Sequence, residues 1–161
     1  MALSAGGCAS KLANAYVGVG LGHFADDFAE IYNDYAMQGV IVGVVNEGGP
    51  SGVIAAALKS LDNTPSGVVR LAAAFSVYWA AVGIEKGDGA HGGAYAGAAN
   101  NAAALTSAFE AAIRASITAS ESPPPFKSLI SNVEAVVKTI IWAVTEVIPP
   151  GVPTVFNEVI Q

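Results

Sequence analysis

The stretch PSGVVRLAAAFSVYWAAVGI, residues 65–84, decides the fold class. Proline suits a first helical turn, because the N–H it lacks needs no partner there. Thr64 or Asn63 precedes it as a cap. Beyond the proline the segment is apolar on nearly every face, with Arg70 its one charge. The uncharged run Leu71–Ile84 falls short of the ~20 residues that a membrane span requires, and Arg70 on one side and Glu85-Lys86 on the other prevent its extension. Such a segment reads as a buried helix of a fold or of an assembly.

Immediately before it, Pro50-Ser51-Gly52-Val53-Ile54 anticipates Pro65-Ser66-Gly67-Val68-Val69. This repeated start predicts helices at 51–61 and 65–84, joined by residues 61–64. Two units are too few for a solenoid, so the echo reads as shared capping chemistry. Further upstream, Val17, Leu21, Phe24, Phe28, Ile31 and Tyr35 recur at spacings of three and four, predicting a helical stripe within 10–38. Gly18, Gly20 and Gly22 weaken its first half by roughly 1 kcal/mol each against Ala, so firm helix is expected from near His23. Residues 39–45, GVIVGVV, fit a buried strand or a helix continuation. Asn46-Glu47-Gly48-Gly49 reads as a turn.

Downstream, KGDGAHGGAYAGAA at 86–99 reads as a glycine-rich loop, followed by a helix over 100–116. Leu105, Phe109 and Ile113 mark its core edge, and Glu110 and Arg114 pair on its outer side. Ser122-Pro123-Pro124-Pro125 cannot continue a helix. Beyond it, Leu129, Val133, Val136, Ile140, Val144 and Val147 make an amphipathic stripe over 127–148. Periodicity favours helix there, while the β-branched content favours strand. The organisation expected is one domain: a helical body at 1–122, a proline-rich linker at 123–126 and a packing or assembly element at 127–161, whose tail VPTVFNEVIQ needs apolar cover. The fold class is mainly α, a compact Ala-rich bundle.

Composition narrows the function. Apolar residues make up 53% of the 161, and charged residues 12%, about half the usual share for a soluble domain of about 25%. An unusual part of the surface is therefore hidden, by the fold, by neighbouring subunits or by lipid. The net charge is −6, and the seven Lys and Arg residues are scattered singly. Nucleic-acid binding is not expected, because phosphate recognition uses clustered cations. The single cysteine, Cys8, excludes an intrachain disulfide and a Cys-based zinc site within one chain. No signal segment is expected before the Ala5-Gly6-Gly7-Cys8 tetrapeptide.

Few residues could carry chemistry. His23, Asp26, Asp27 and Glu30 form a compact set, and the four-residue spacings His23–Asp27 and Asp26–Glu30 put each pair on one helix face. Helical metal sites draw ligands from two or more facing helices, and no second segment offers them, so the bland reading is a solvated acidic face near the positive helix end. Gly87, Gly89 and Gly92 have dinucleotide-loop spacing without a clear preceding strand, and no Gly-Lys-Ser/Thr phosphate loop ends the run. His91 has no Asp or Ser placed beside it for a triad. Trp79 and Trp142 lie in apolar segments, as core or as contacts. Arg70 is either a rim residue or a buried cation paired with Glu47, Asp62 or another chain. Arg70, Trp79, Trp142 and Phe156 are the candidate interaction residues; no catalytic, metal or cofactor residue is assigned, and no cofactor is expected.

The Ala-rich helices LAAAFSVYWAAVG and NAAALTSAFEAAIRAS, split by a glycine-rich loop and followed by SPPPF, resemble in style the small structural proteins of tailed-bacteriophage virions over residues 65–148. The resemblance implies a non-enzymatic assembly subunit of a head–tail junction, tail or capsid, with copies of itself and other structural proteins as partners, in the virion or the cytoplasm. It carries over no functional residue. Two alternatives stay open: a helical metal-binding protein or enzyme using His23, Asp27 and Glu30, and a small membrane-active lysis-type protein using Leu71–Ile84.

Overall fold

A computed structural model describes residues 2–16, 18, 23–41, 44–45, 48–61, 64–88, 94–99, 101–147 and 154–161. For 41, 44–45, 84–88, 94–99, 102–103, 146–147, 154, 156 and 158 that description is of the backbone. The fold is mainly α. Its helices are α1 (Ala5–Ala15), α2 (Ala25–Ala36), α3 (Gly52–Lys59), α4 (Pro65–Ala81), α5 (Thr106–Ile117) and α6 (Phe126–Val137), with a 3-10 turn at Ala102–Leu105 leading into α5. Each helix packs on the next in the chain, and α6 closes the circuit on α1.

Local chemistry accounts for the starts of α1, α4 and α6. The Gly7 N–H donates to Ser4 Oγ (3.3 Å) at the start of α1. Pro65 opens α4 after Thr64, as the sequence predicts. At α6, the Glu121 carboxylate accepts from the backbone N–H groups of Lys127 (3.1 Å) and Ser128 (2.8 Å). These are first-turn donors with no partner inside the helix. Of the stripe expected over 10–38, Phe24, Phe28 and Tyr35 are buried and Ile31 is partly so. Firm helix resumes just after His23, while Val17 and Leu21 lie outside the described residues.

The core is one aromatic-rich cluster. Tyr32 sits at its centre, with ring centroids 5.1 Å from Phe75, 5.5 Å from Tyr35 and 5.6 Å from Tyr78. Phe126, Ile130, Val133 and Val137 of α6 enter the same cluster. Residues on both sides of the proline segment therefore share one core.

Short strands complete the fold: β1 (Val40–Ile41), β2 (Val44–Val45), β3 (Gly83–Asp88), β4 (Ala94–Ala99), β5 (Trp142–Val147) and β6 (Thr154–Glu158). β1 pairs with β2, and the others run in the order β3-β4-β5-β6, antiparallel throughout. Of the two readings open for residues 39–45, the strand is the one observed, at Val40–Ile41 and Val44–Val45. Two expectations are corrected by the strands. The segment 86–99 contributes strand backbone at 86–88 and 94–99, not simply loop; residues 89–93 lie outside the described residues. The helix expected over 127–148 stops at Val137, and Trp142–Val147 is strand. The reason for the last is visible locally: Trp142 and Val144 are buried while Ala143 and Thr145 are partly exposed, the two-residue period of a strand. Glycines at 87–97 permit turns, but pairing with β5 is a long-range event that local composition does not encode.

The tail docks on its own chain. Gln161 and Val40 exchange both backbone hydrogen bonds (2.9 and 3.0 Å), and Ile160 is buried. Gly39 makes room for it: a Cβ there would collide with the Ile160 side chain.

Candidate functional site

The candidate interaction residues separate sharply once folded. Trp79 is fully buried, and its Nε1–H donates to the Tyr32 hydroxyl (2.9 Å). Trp142 is fully buried too, its ring centroid 6.3 Å from that of Trp79 in an edge-on pair. Both are core, not contact surface. The backbone of Phe156 pairs with Val144, and its side chain lies outside the described part of the chain. Arg70 is exposed: it donates to the Ser60 carbonyl (2.8 Å) and to Ser66 Oγ (3.4 Å), tying α4 to the end of α3. Glu47 and Asp62, its expected partners, lie outside the described residues.

The acidic set on α2 stays on the surface. His23, Asp26, Asp27 and Glu30 are exposed, and Asp26 pairs with Lys59 of α3 (2.7 Å). Among the described residues no three His, Cys, Asp or Glu side chains group as metal ligands. Gly87 is strand backbone in β3, whereas Gly89, His91 and Gly92 lie outside the described residues.

The interior holds further polar groups. Tyr35 donates to Glu134 Oε2 (2.8 Å), and Lys138 donates to the other carboxylate oxygen (2.7 Å). Tyr78 donates to Asn33 Oδ1 (2.7 Å), which also accepts from the Gly49 N–H (3.3 Å). Burial raises the pKa of all three tyrosines, Tyr32, Tyr35 and Tyr78. Burial likewise pushes the Cys8 thiol up to about 12, with Lys11 opposing and Glu134 adding. A reactive thiol requires the opposite shift.

A different feature faces outward. Along α4, Val69 and Val77 are 41% and 51% exposed, Ala80 and Ala81 are exposed, and Ala73 is half-buried. They form one stripe at spacings of three and four, with Arg70 beside it. Beside Val77 an open groove of about 380 Å³ is lined by Ala73, Ser76, Val77, Ala80, Ala81 and Thr106. The opposite face of α4 buries Leu71, Ala72, Phe75, Tyr78 and Trp79. The helix is apolar nearly all round, so one apolar face is left over after the core is filled. Sequence reasoning singled out the large aromatics and passed over this stripe. The signal available was the spacing of Val69, Ala73, Val77 and Ala80 opposite the bulky residues.

Among the described residues, no helix is long and apolar enough to cross a membrane. No known protein family, curated protein or solved structure matches the chain.

Proposed function

We propose that this protein is a non-enzymatic structural subunit that assembles with copies of itself. The observation that carries the reading is the outward stripe of α4, which presents Val69, Ala73, Val77 and Ala80 to solvent with no carboxylate among them. Apolar faces of this kind mark contact surfaces. The low charged fraction of 12% supports the reading, since assembly covers surface that would otherwise need solvating charge. The resemblance to small virion proteins of tailed bacteriophages belongs to the same proposal and suggests other structural proteins as further partners.

Sedimentation and light scattering over micromolar to millimolar concentrations test it. The expected result is a mass above the monomer that grows with concentration and needs no detergent. A strict monomer across that range overturns the proposal.

A further inference from the structure

We infer that the C-terminal segment, residues 154–161, is exchanged between two copies, so that β6 of one pairs with β5 of the other. This rests on the assembly reading and names a way in which the copies are tied. The receiving place is built for this occupant. Along β5, Trp142, Ala143, Val144, Thr145 and Glu146 each face a residue of β6, from Glu158 back to Thr154. Beyond β6, Gln161 exchanges both backbone hydrogen bonds with Val40. Ile160 fills a notch that exists because residue 39 is glycine: a Cβ there would collide with the Ile160 side chain. Each of these contacts joins the segment to residues that precede the β5–β6 connection. A second copy offers the same segment, so the same contacts form between chains as within one.

The connection sets the balance between the two forms. Residues 148–153 read Ile-Pro-Pro-Gly-Val-Pro. Tight reversals between antiparallel strands use asparagine and glycine, which accept positive φ. Proline holds φ at about −65°, and Gly151 is the one residue of the six suited to a reversal. Pro-rich runs favour an extended path of about 3.1 Å per residue, about 19 Å over six residues. That preference works against folding β6 back onto its own β5 and favours reaching a neighbour. A chain that gives up its segment also vacates the place that receives one. The exchange is therefore reciprocal and closes as a two-fold dimer.

The test uses the full chain carrying both Ala143→Cys and Asn157→Cys, positions that face each other across β5 and β6. Cys8 is buried and does not compete. The double variant is held at micromolar to millimolar concentrations, oxidised mildly, then unfolded and sized without reductant. Exchange gives covalent dimers whose share rises several-fold with concentration. Internally cross-linked monomer at every concentration overturns the inference. In a mixture of the two single variants, the product joining positions 143 and 157 should exceed either like-with-like product several-fold, and equal amounts overturn it too. Independently of any cross-link, wild-type dimer should survive strong dilution for hours, because its release requires β6 to leave β5. Dissociation within the time of mixing overturns exchange. Pro149→Asn with Pro150→Gly, which supplies a reversal, should lower the dimer share several-fold, and an unchanged share removes the connection from the argument for exchange. A wild-type protein that is always monomeric defeats the assembly reading as well. A wild-type oligomer whose double variant yields only cross-linked monomer defeats this inference alone.

Discussion

Trp79 and Trp142 are both fully buried, yet they place different demands on their surroundings. The Trp79 indole has the Tyr32 hydroxyl as acceptor, whereas Trp142 Nε1 has no hydrogen-bond partner among the described residues. Removing one partner of a buried bond strands the other at a cost of about 1–3 kcal/mol. Tyr32→Phe is therefore expected to lower unfolding free energy by that amount in urea titrations, with the fold retained. An unchanged midpoint would mean that the Trp79 indole finds another acceptor. The tyrosines also set a pH dependence. Burial raises the folded-state pKa of Tyr32, Tyr35 and Tyr78 above the ordinary 10.0. Their contribution to stability is thus complete below pH 10 and is lost as pH rises beyond it. In an alkaline titration monitored by phenolate absorbance, these three should ionise late and together with unfolding, and normal ionisation of all tyrosines near pH 10 would contradict their burial. Cys8 should resist thiol reagents until the chain unfolds.

Helix α6 and the C-terminal tail show how elements are tied in. Hydrogen bonds from Ser128 and Lys127 hold the Glu121 carboxyl below its usual pKa. A depressed carboxylate pKa stabilises the fold above the ordinary value of 4.5, and that contribution fades as pH falls through the lowered one. Glu121→Gln should weaken α6 by about 0.5–1 kcal/mol, read as a small drop in melting temperature at pH 7 that disappears in acid. The tail is a larger matter. Its apolar character suggests an assembly element, but Ile160 is buried against Gly39 and Gln161 pairs with Val40 within the chain. Ile160→Ala should cost about 2–4 kcal/mol, as other large-to-small core changes do. Deleting residues 149–161 should accordingly lower the melting temperature. A truncated chain that melts normally but fails to assemble would make the tail a surface contact instead.

For the molecule as a whole, six helices packed around one aromatic core leave the Asp26–Lys59 and Glu110–Arg114 pairs at the rim, while Glu134, paired with Lys138, is largely buried. The Asp26–Lys59 pair joins α2 to α3, but its side chains are 75% and 52% exposed. Exposed pairs contribute about 0–1 kcal/mol. Asp26→Asn combined with Glu30→Gln should leave the far-ultraviolet spectrum, the melt and the mass in solution nearly unchanged. Metal bound by the wild type and lost in this variant would point to the metal-site alternative instead. Substitutions on the outer face of α4 should behave in the opposite way, changing mass without changing the melt.

Much of the helical layout was legible in the sequence because its causes are local. The Pro65 start, the stripe through Phe24, Phe28 and Tyr35, and the Phe109–Ile113 edge each arise from spacing and capping within a few turns of chain. The strands were read less well, because β4 acquires its partner β5 from more than forty residues away and its glycines and alanines carry little pattern of their own. The candidate site was legible only as a surplus: α4 has more apolar surface than one core can absorb. Which face would be left outside was decided by packing, when Phe75, Tyr78 and Trp79 met Tyr32 and Phe109. Sequence by itself determined that this chain forms capped, apolar helices with little charge to solvate them. Tertiary structure alone decided that the tryptophans and Ile160 lie within while Val69 and Val77 face solvent, because burial depends on what the rest of the chain brings to each face.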